Sequence, residues 1–193
     1  MKTFNKLSAA LALAALAALG SSAQAAGSLV LTPAAGSVQV SNTFSVQVRG
    51  DSFSDIVGGG GFDLSFNPAV LQLESVTINA ALWEFDPRAG AINNAAGTLT
   101  TASFATFVAS PTGSFLAATL NFTAKAEGVS AMTLAASSLA VFATSAGDPI
   151  TVNFGSGSMA VTPVPEPTTW ASMAFGLALM PMLLSRRRRR ALA

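Results

Sequence analysis

Between Ser28 and Thr162 apolar side chains return at every second position, and that period of two constrains the fold more than any other feature. Phe44, Val46 and Val48 are separated by Ser45 and Gln47, and Phe62, Leu64 and Phe66 by Asp63 and Ser65. Leu29 and Leu31, Val38 and Val40, then Leu71 and Leu73 keep the same spacing, and it resumes at Val76 and Ile78 with Glu74 marking a change of face. Leu116, Ala118, Leu120 and Phe122 repeat it, as do Met132 and Leu134, Val141, Ile150 and Val152, and Met159 and Val161. In an extended chain successive side chains point to opposite faces, so each run reads as a strand with one buried face. The pattern gives about nine or ten short strands, punctuated by Gly, Pro, Asn and Ser, with no amphipathic helix. The expected class is all-β, a two-sheet sandwich.

Two stretches escape this pattern. Gly58 to Gly61 is a run of four glycines that leads into a strand rather than a phosphate-cradling helix, so it reads as a flexible loop between strands. Ala80 to Ala96 holds Leu82-Trp83-Glu84-Phe85, then Asp86-Pro87-Arg88 and a Gly90 to Gly97 loop. Trp83 is expected to anchor on a sheet with the loop covering one end, and Thr98 to Val108 reads as a further strand.

The two ends differ from the middle. Lys2 and Lys6 precede an apolar core from Leu7 to Leu19, and Ala23-Gln24-Ala25 fits the small-x-small cleavage rule, so residues 1–25 read as a secretory signal peptide cut after Ala25. At the other end Val164-Pro165-Glu166-Pro167 precedes an uncharged apolar run from Thr168 to Ser185. Eighteen helical residues span ~27 Å, close to the ~30 Å hydrocarbon thickness of a bilayer. Arg186, Arg187, Arg188, Arg189 and Arg190 come next, a cluster that resists translocation and holds its end in the cytoplasm. The prolines keep the segment before the helix extended, in the form a protease takes its substrate. This order resembles the bacterial PEP-CTERM sorting signal. The resemblance implies an exosortase-type membrane enzyme that reads the tail and removes it, so contact with the membrane is transient. The expected division is a signal peptide at 1–25, a sandwich at 26–162 and a sorting region at 163–193, with its transmembrane helix at 168–185.

With both ends set aside, Arg49, Arg88 and Lys125 face Asp51, Asp55, Asp63, Glu74, Glu84, Asp86, Glu127 and Asp148, a net charge of −5. No basic stripe remains to neutralise phosphates, so nucleic acid is not an expected partner. The chain has no cysteine, histidine or tyrosine, which removes disulfides, thiolate chemistry and a Ser-His-Asp triad.

Val46-Gln-Val-Arg49 and Gly61-Phe-Asp-Leu-Ser-Phe-Asn-Pro-Ala-Val-Leu71 resemble the early strands of a cohesin domain, including its aromatic–x–Asp-Pro–x–x–Leu corner, here with Asn67 in place of Asp. Gly113 to Phe122 with Ala126-Glu-Gly128, then Asp148 to Val152 and Gly157 to Val161 as a last hairpin, extend the likeness over Ser28 to Thr162. The resemblance implies a nine-stranded jelly-roll sandwich related to carbohydrate-binding modules, with a dockerin-like protein as a partner of some members.

The remaining candidates for chemistry are carboxylates and rings. Asp51, Asp55 and Asp63 bracket the glycine run and carry oxygen ligands of the type calcium takes, but match no EF-hand spacing and read as solvated loop acids. Glu84, Asp86 or Glu74 would serve an envelope hydrolase, and Trp83, Phe85, Phe104 and Phe107 with Asn93 and Asn94 a sugar platform for exopolysaccharide. Arg49-Gly50-Asp51 reads as the end of a strand, and Asn121-Phe122-Thr123 as an outward strand residue within a glycosylation pattern. The expectation is a non-enzymatic binding or structural domain without cofactor or metal. It is exported, held at the inner membrane as a precursor, then released to the cell surface or matrix.

Overall fold

The computed structural model describes residues 26–109 and 111–164, together with 172–175 and 177–178 of the tail. Thirteen strands run β1 (Gly27–Thr32), β2 (Ala35–Gln39), β3 (Thr43–Phe53), β4 (Val57–Ser65), β5 (Leu71–Ile78), β6 (Phe85–Arg88), β7 (Ala91–Asn93), β8 (Thr98–Ala105), β9 (Gly113–Ala124), β10 (Gly128–Ala136), β11 (Ala143–Thr144), β12 (Val152–Phe154) and β13 (Ser156–Thr162). One sheet has the order β12-β1-β3-β9-β5 and the other β2-β13-β10-β4-β8-β6, with β11 on β4 and β7 on β8. The two pack face to face as a sandwich, as the alternation predicts.

The alternating positions supply the core. Leu29, Val46, Val48, Leu71, Leu73, Leu120 and Phe122 from the first sheet meet Phe62, Leu64, Leu99, Met132 and Met159 from the second. The change of face at Glu74 is real: the pairing of β5 with β9 shifts register between Leu73 and Ser75, and burial resumes at Val76 and Ile78. On β9 a single alternation is too simple. A register shift between Val48 and Arg49 of β3 changes the phase, so Phe115 and Ala117 point inward before Ala118, Leu120 and Phe122 do, and Leu116 is left half-buried.

The corner at Phe66-Asn67-Pro68 carries the chain from one sheet to the other. Asn67 Oδ1 accepts the Ala69 N–H (3.0 Å), and the Asn67 carbonyl accepts from Val70 and Leu71. The buried Ser130 hydroxyl oxygen accepts the Asn67 N–H (2.9 Å), and Lys125 donates to the Pro68 carbonyl (2.9 Å). Asn supplies the acceptor oxygen that Asp would, so the turn closes without a charge.

Four expectations are corrected. The described residues form thirteen strands where nine or ten are expected, because short edge segments pair as well as the long alternating runs. The glycine run is no loop, because Gly58 to Gly61 lie within β4, in the middle of the second sheet. A side chain on Gly60 would meet the Phe142 ring at 2.6 Å, and one on Gly61 would meet Ala140 Cβ at 2.6 Å. The missing side chains let the 137–147 segment close onto β4. Asp148 to Val152 and Gly157 to Val161 form no hairpin: β12 pairs in parallel with β1, and β13 pairs with β10 and β2 in the other sheet. The strand at Val141 begins two residues later, and Val141 itself is exposed.

The ends of the domain lie at opposite poles. Ala26 bonds to Thr151 and Ser54 near the start of β9, whereas Thr162 pairs with Gln39 near Gly128 and the end of β9. Ala23, Ala25, Pro165, Glu166, Pro167 and Arg186 to Arg190 lie outside the described residues, and Val164 is described and exposed. Residues 172–175 and 177–178 are helical, with Met173, Phe175 and Leu177 exposed. Among the described residues no helix is long and apolar enough to cross a membrane.

Gly60→Ala is expected to cost about 1–3 kcal/mol through overpacking against Phe142. Urea denaturation of the variant checks this, and unchanged stability would mean that β4 and Phe142 are not in contact.

Candidate functional site

Trp83 is fully buried. Asn79 turns the chain after β5, its carbonyl accepting the N–H groups of Leu82 (3.0 Å) and Trp83 (2.9 Å). The indole then enters the core between the sheets, 4.5 Å from the Phe104 ring and 5.2 Å from the Phe115 ring, and its Nε1–H donates to the Leu116 carbonyl (3.0 Å). A buried indole needs one such acceptor. Trp83 thus fastens β8 to β9.

The next residue, Glu84, points the other way. Its Oε1 accepts the N–H groups of Phe107 (2.7 Å) and Val108 (3.2 Å). The Phe107 backbone bond is the largest cause that lowers its pKa from 4.5 to about 2, with further bonds from its own N–H and Thr106. Glu84 is therefore held as a carboxylate engaged by backbone donors. Asp86 takes both Nε (2.9 Å) and Nη2 (2.7 Å) of Arg88, which raises the guanidinium pKa. The two carboxylates serve as a loop clasp and an ion pair, and Glu74 stands exposed at the β5 register shift on the other sheet.

The four-ring sugar platform is divided. Trp83 and Phe104 are buried, while Phe85 and Phe107 are 50% and 75% exposed and pack with centroids 4.4 Å apart at 59°. Tilted rings present no flat row to a sugar. Asn94 is committed elsewhere: its Oδ1 accepts the Leu73 N–H (2.9 Å) and its Nδ2 donates to the Leu73 carbonyl (3.0 Å), closing the free edge of β5. Asn93 caps the next turn through Ala95 and Ala96.

The three aspartates also separate. Asp63 is a strand residue, not a solvated loop acid, and its Oδ1 accepts the N–H of Thr101 (2.8 Å), which has φ 61° where β8 bulges against β4. Asp51 accepts from Ser114 (2.9 Å) and lies within β3, so Arg49-Gly50-Asp51 does not end a strand. Among the described residues no three acidic, His or Cys side chains gather as a metal site. Asn121 does face outward, bonded to Ser45 (2.7 Å) and Ser75 (2.9 Å).

What the fold does assemble is an open groove of about 460 Å³ on the second sheet. Its floor is the bare backbone of Gly58 to Gly60 with Ala105, one wall is Phe85 and Phe107, and the other carries Val141 and Ser145. Sequence reasoning finds the aromatic pair but not the groove. The groove depends on segments 106–108 and 140–147 meeting across glycines, and glycine carries no alternation to read.

No family model and no curated protein matches the chain. Among solved structures the likeness is to cohesins. A cohesin of Clostridium thermocellum, in a type I cohesin–dockerin complex, superposes with a TM-score of 0.59 at 12% identity, over 75% of this chain and 99% of that one. The cohesin module of a Clostridium perfringens family 33 glycoside hydrolase gives 0.59 at 13%, over 73% and 100%. A non-cellulosomal cohesin from the archaeon Archaeoglobus fulgidus gives 0.54 at 18%, over 72% and 92%. The fold is thus an all-β sandwich of the cohesin type.

Because Glu84 has its pKa lowered in the fold, the clasp on Phe107 contributes fully above pH 4.5 and is lost as pH falls through about 2. An NMR titration is expected to give Glu84 a midpoint near 2 together with movement of the Phe107 amide; a midpoint at 4.5 would mean that the clasp does not form.

Proposed function

We propose that the chain is an exported, non-catalytic binding module, delivered by a signal peptide at 1–25 and a PEP-CTERM-type tail at 163–193. Its sandwich binds a dockerin-like protein through the outer face of the second sheet. The observation that carries the binding role is the groove, where Phe85, Phe107 and Val141 stand exposed beside a glycine floor. The outer face of the first sheet carries instead a polar ladder, in which Ser45, Asn121 and Ser75 bond to one another. Exposed aromatic side chains at a concave surface are the usual anchors of protein recognition. The cohesin fold supports the same reading, since the C. thermocellum relative is found in complex with a dockerin.

Delivery rests on the sequence. Val164-Pro165-Glu166-Pro167, the apolar run and five arginines stand in the order an exosortase-type enzyme would read. The precursor is held at the inner membrane by the 168–185 helix, with the arginines cytoplasmic, and cleavage near Pro165-Glu166-Pro167 releases the domain to the surface or matrix.

Two measurements test the two halves separately. The intact mass of the native extracellular protein is expected to fit a chain from Ala26 to near Pro167, and Glu166→Ala is expected to leave the tail attached; the same mature chain ends in that variant refute the sorting role. Phe107→Asp is expected to weaken binding of a dockerin module by roughly tenfold or more without changing where the mature chain begins and ends. Equal binding by both forms would take the groove out of the interface.

A further inference from the structure

Each sheet of an open sandwich has two edges, and an unpaired edge is a template for another strand. Three of the four edges are blunted. On β5 the Asn94 amide occupies the Leu73 N–H and carbonyl, and the register breaks at Glu74. The β6 edge carries Pro87, a register break and the Asp86–Arg88 ion pair. On the remaining edge of the first sheet, β12 is three residues long.

The fourth edge is different. β2 is five residues in unbroken parallel register with β13, from Ala35 opposite Ser158 to Gln39 opposite Thr162. It contains no proline, charge or bulge, and Ala34 to Ser37 and Gln39 are exposed. No other strand among the described residues lies beyond it.

Its hydrogen-bond polarity is defined. The Ala34 carbonyl accepts from Ser158 and the Val40 N–H donates to Thr162, so even-numbered residues bond toward β13. Alternation then turns the N–H and C=O groups of Ala35, Ser37 and Gln39 outward. These three residues are symmetric about Ser37. A second β2 laid antiparallel, with Ser37 opposite Ser37, brings Ala35 opposite Gln39, and every outward donor meets an outward acceptor. The Gln39 carbonyl already accepts from Asn42 (3.2 Å) on that side, so the facing Ala35 N–H shares it and the full exchange of bonds rests on Ser37. The side chains at the seam are small or uncharged, so the domain's net negative charge does not oppose the approach there.

We propose that β2 is a self-docking edge, through which two copies of this chain join their second sheets about a two-fold axis at Ser37. The pairing is isologous, so it closes at two copies and leaves the groove at the far end of β4 open on each.

The chain has no cysteine, so a single introduced thiol reports the register without background. Directly opposed residues in an antiparallel pair stand ~4.5–5.5 Å apart at Cα, within disulfide reach. Protein carrying Ser37→Cys, exported in its host and mildly oxidised, is expected to form a disulfide-linked homodimer roughly tenfold or more faster than protein carrying Ala95→Cys, whose position is also exposed. Ala35→Cys and Gln39→Cys are expected to cross-link when mixed and not when alone, which separates a fixed register from chance collision. Ser37→Cys reacting no faster than Ala95→Cys, Ala35→Cys cross-linking with itself as readily as with Gln39→Cys, or a disulfide at Ser37 to a different polypeptide would each overturn the proposal.

Discussion

The close approach at Gly58 to Gly61 is the constraint on which the second sheet depends. Removing four side chains from β4 lets the Phe142 ring lie on Gly60, lets Ala140 cover Gly61 and brings the backbone of Thr144 and Ser145 against Gly58. The same absence does two things. On the inner face it seats Phe142, which links Phe53 (5.8 Å) to Phe104 (5.7 Å) and closes the aromatic end of the core. On the outer face it leaves bare backbone as the groove floor. Glycine in a strand interior ordinarily weakens it, by roughly 0.5–1 kcal/mol each relative to alanine, so the packing of Phe142 has to offset that loss.

Much of the sandwich is legible in the sequence because burial on one face imposes a period of two, and residues such as Val46, Val48, Phe62 and Leu64 satisfy it without interruption. The errors fall where a side chain carries no phase or carries two meanings. Glycines give no alternation, so the first half of β4 reads as a loop. Phe115 and Leu116 are adjacent apolar residues, and only the bulge on β9, where Ala117 is the extra residue, decides which one faces inward. The Ala80 to Ala96 stretch is unreadable because it is governed by single contacts. Trp83 finds the Leu116 carbonyl and Asn94 finds Leu73, and no local pattern announces partners that distant.

The carboxylates make the same point at the site. Glu84 and Asp86 stand two apart, a spacing that fits a catalytic pair as well as any. Backbone donors from Phe107 and Val108 claim the first, and Arg88 claims the second. Charge in this domain serves to hold turns, as Asp63 does for the bulge at Thr101. What the carboxylates leave over is an apolar, concave surface between Phe85, Phe107 and Val141.

The separation of the two chain ends has a mechanical meaning. The strand β9 runs twelve residues from the Ala26 pole to the Thr162 pole, a height of ~40 Å at ~3.3 Å per residue. The groove sits beside the first pole and the tail leaves from the second. The groove therefore stands at the opposite end of the sandwich from Thr162, with the full height of the domain between the two, like the head and foot of a mast.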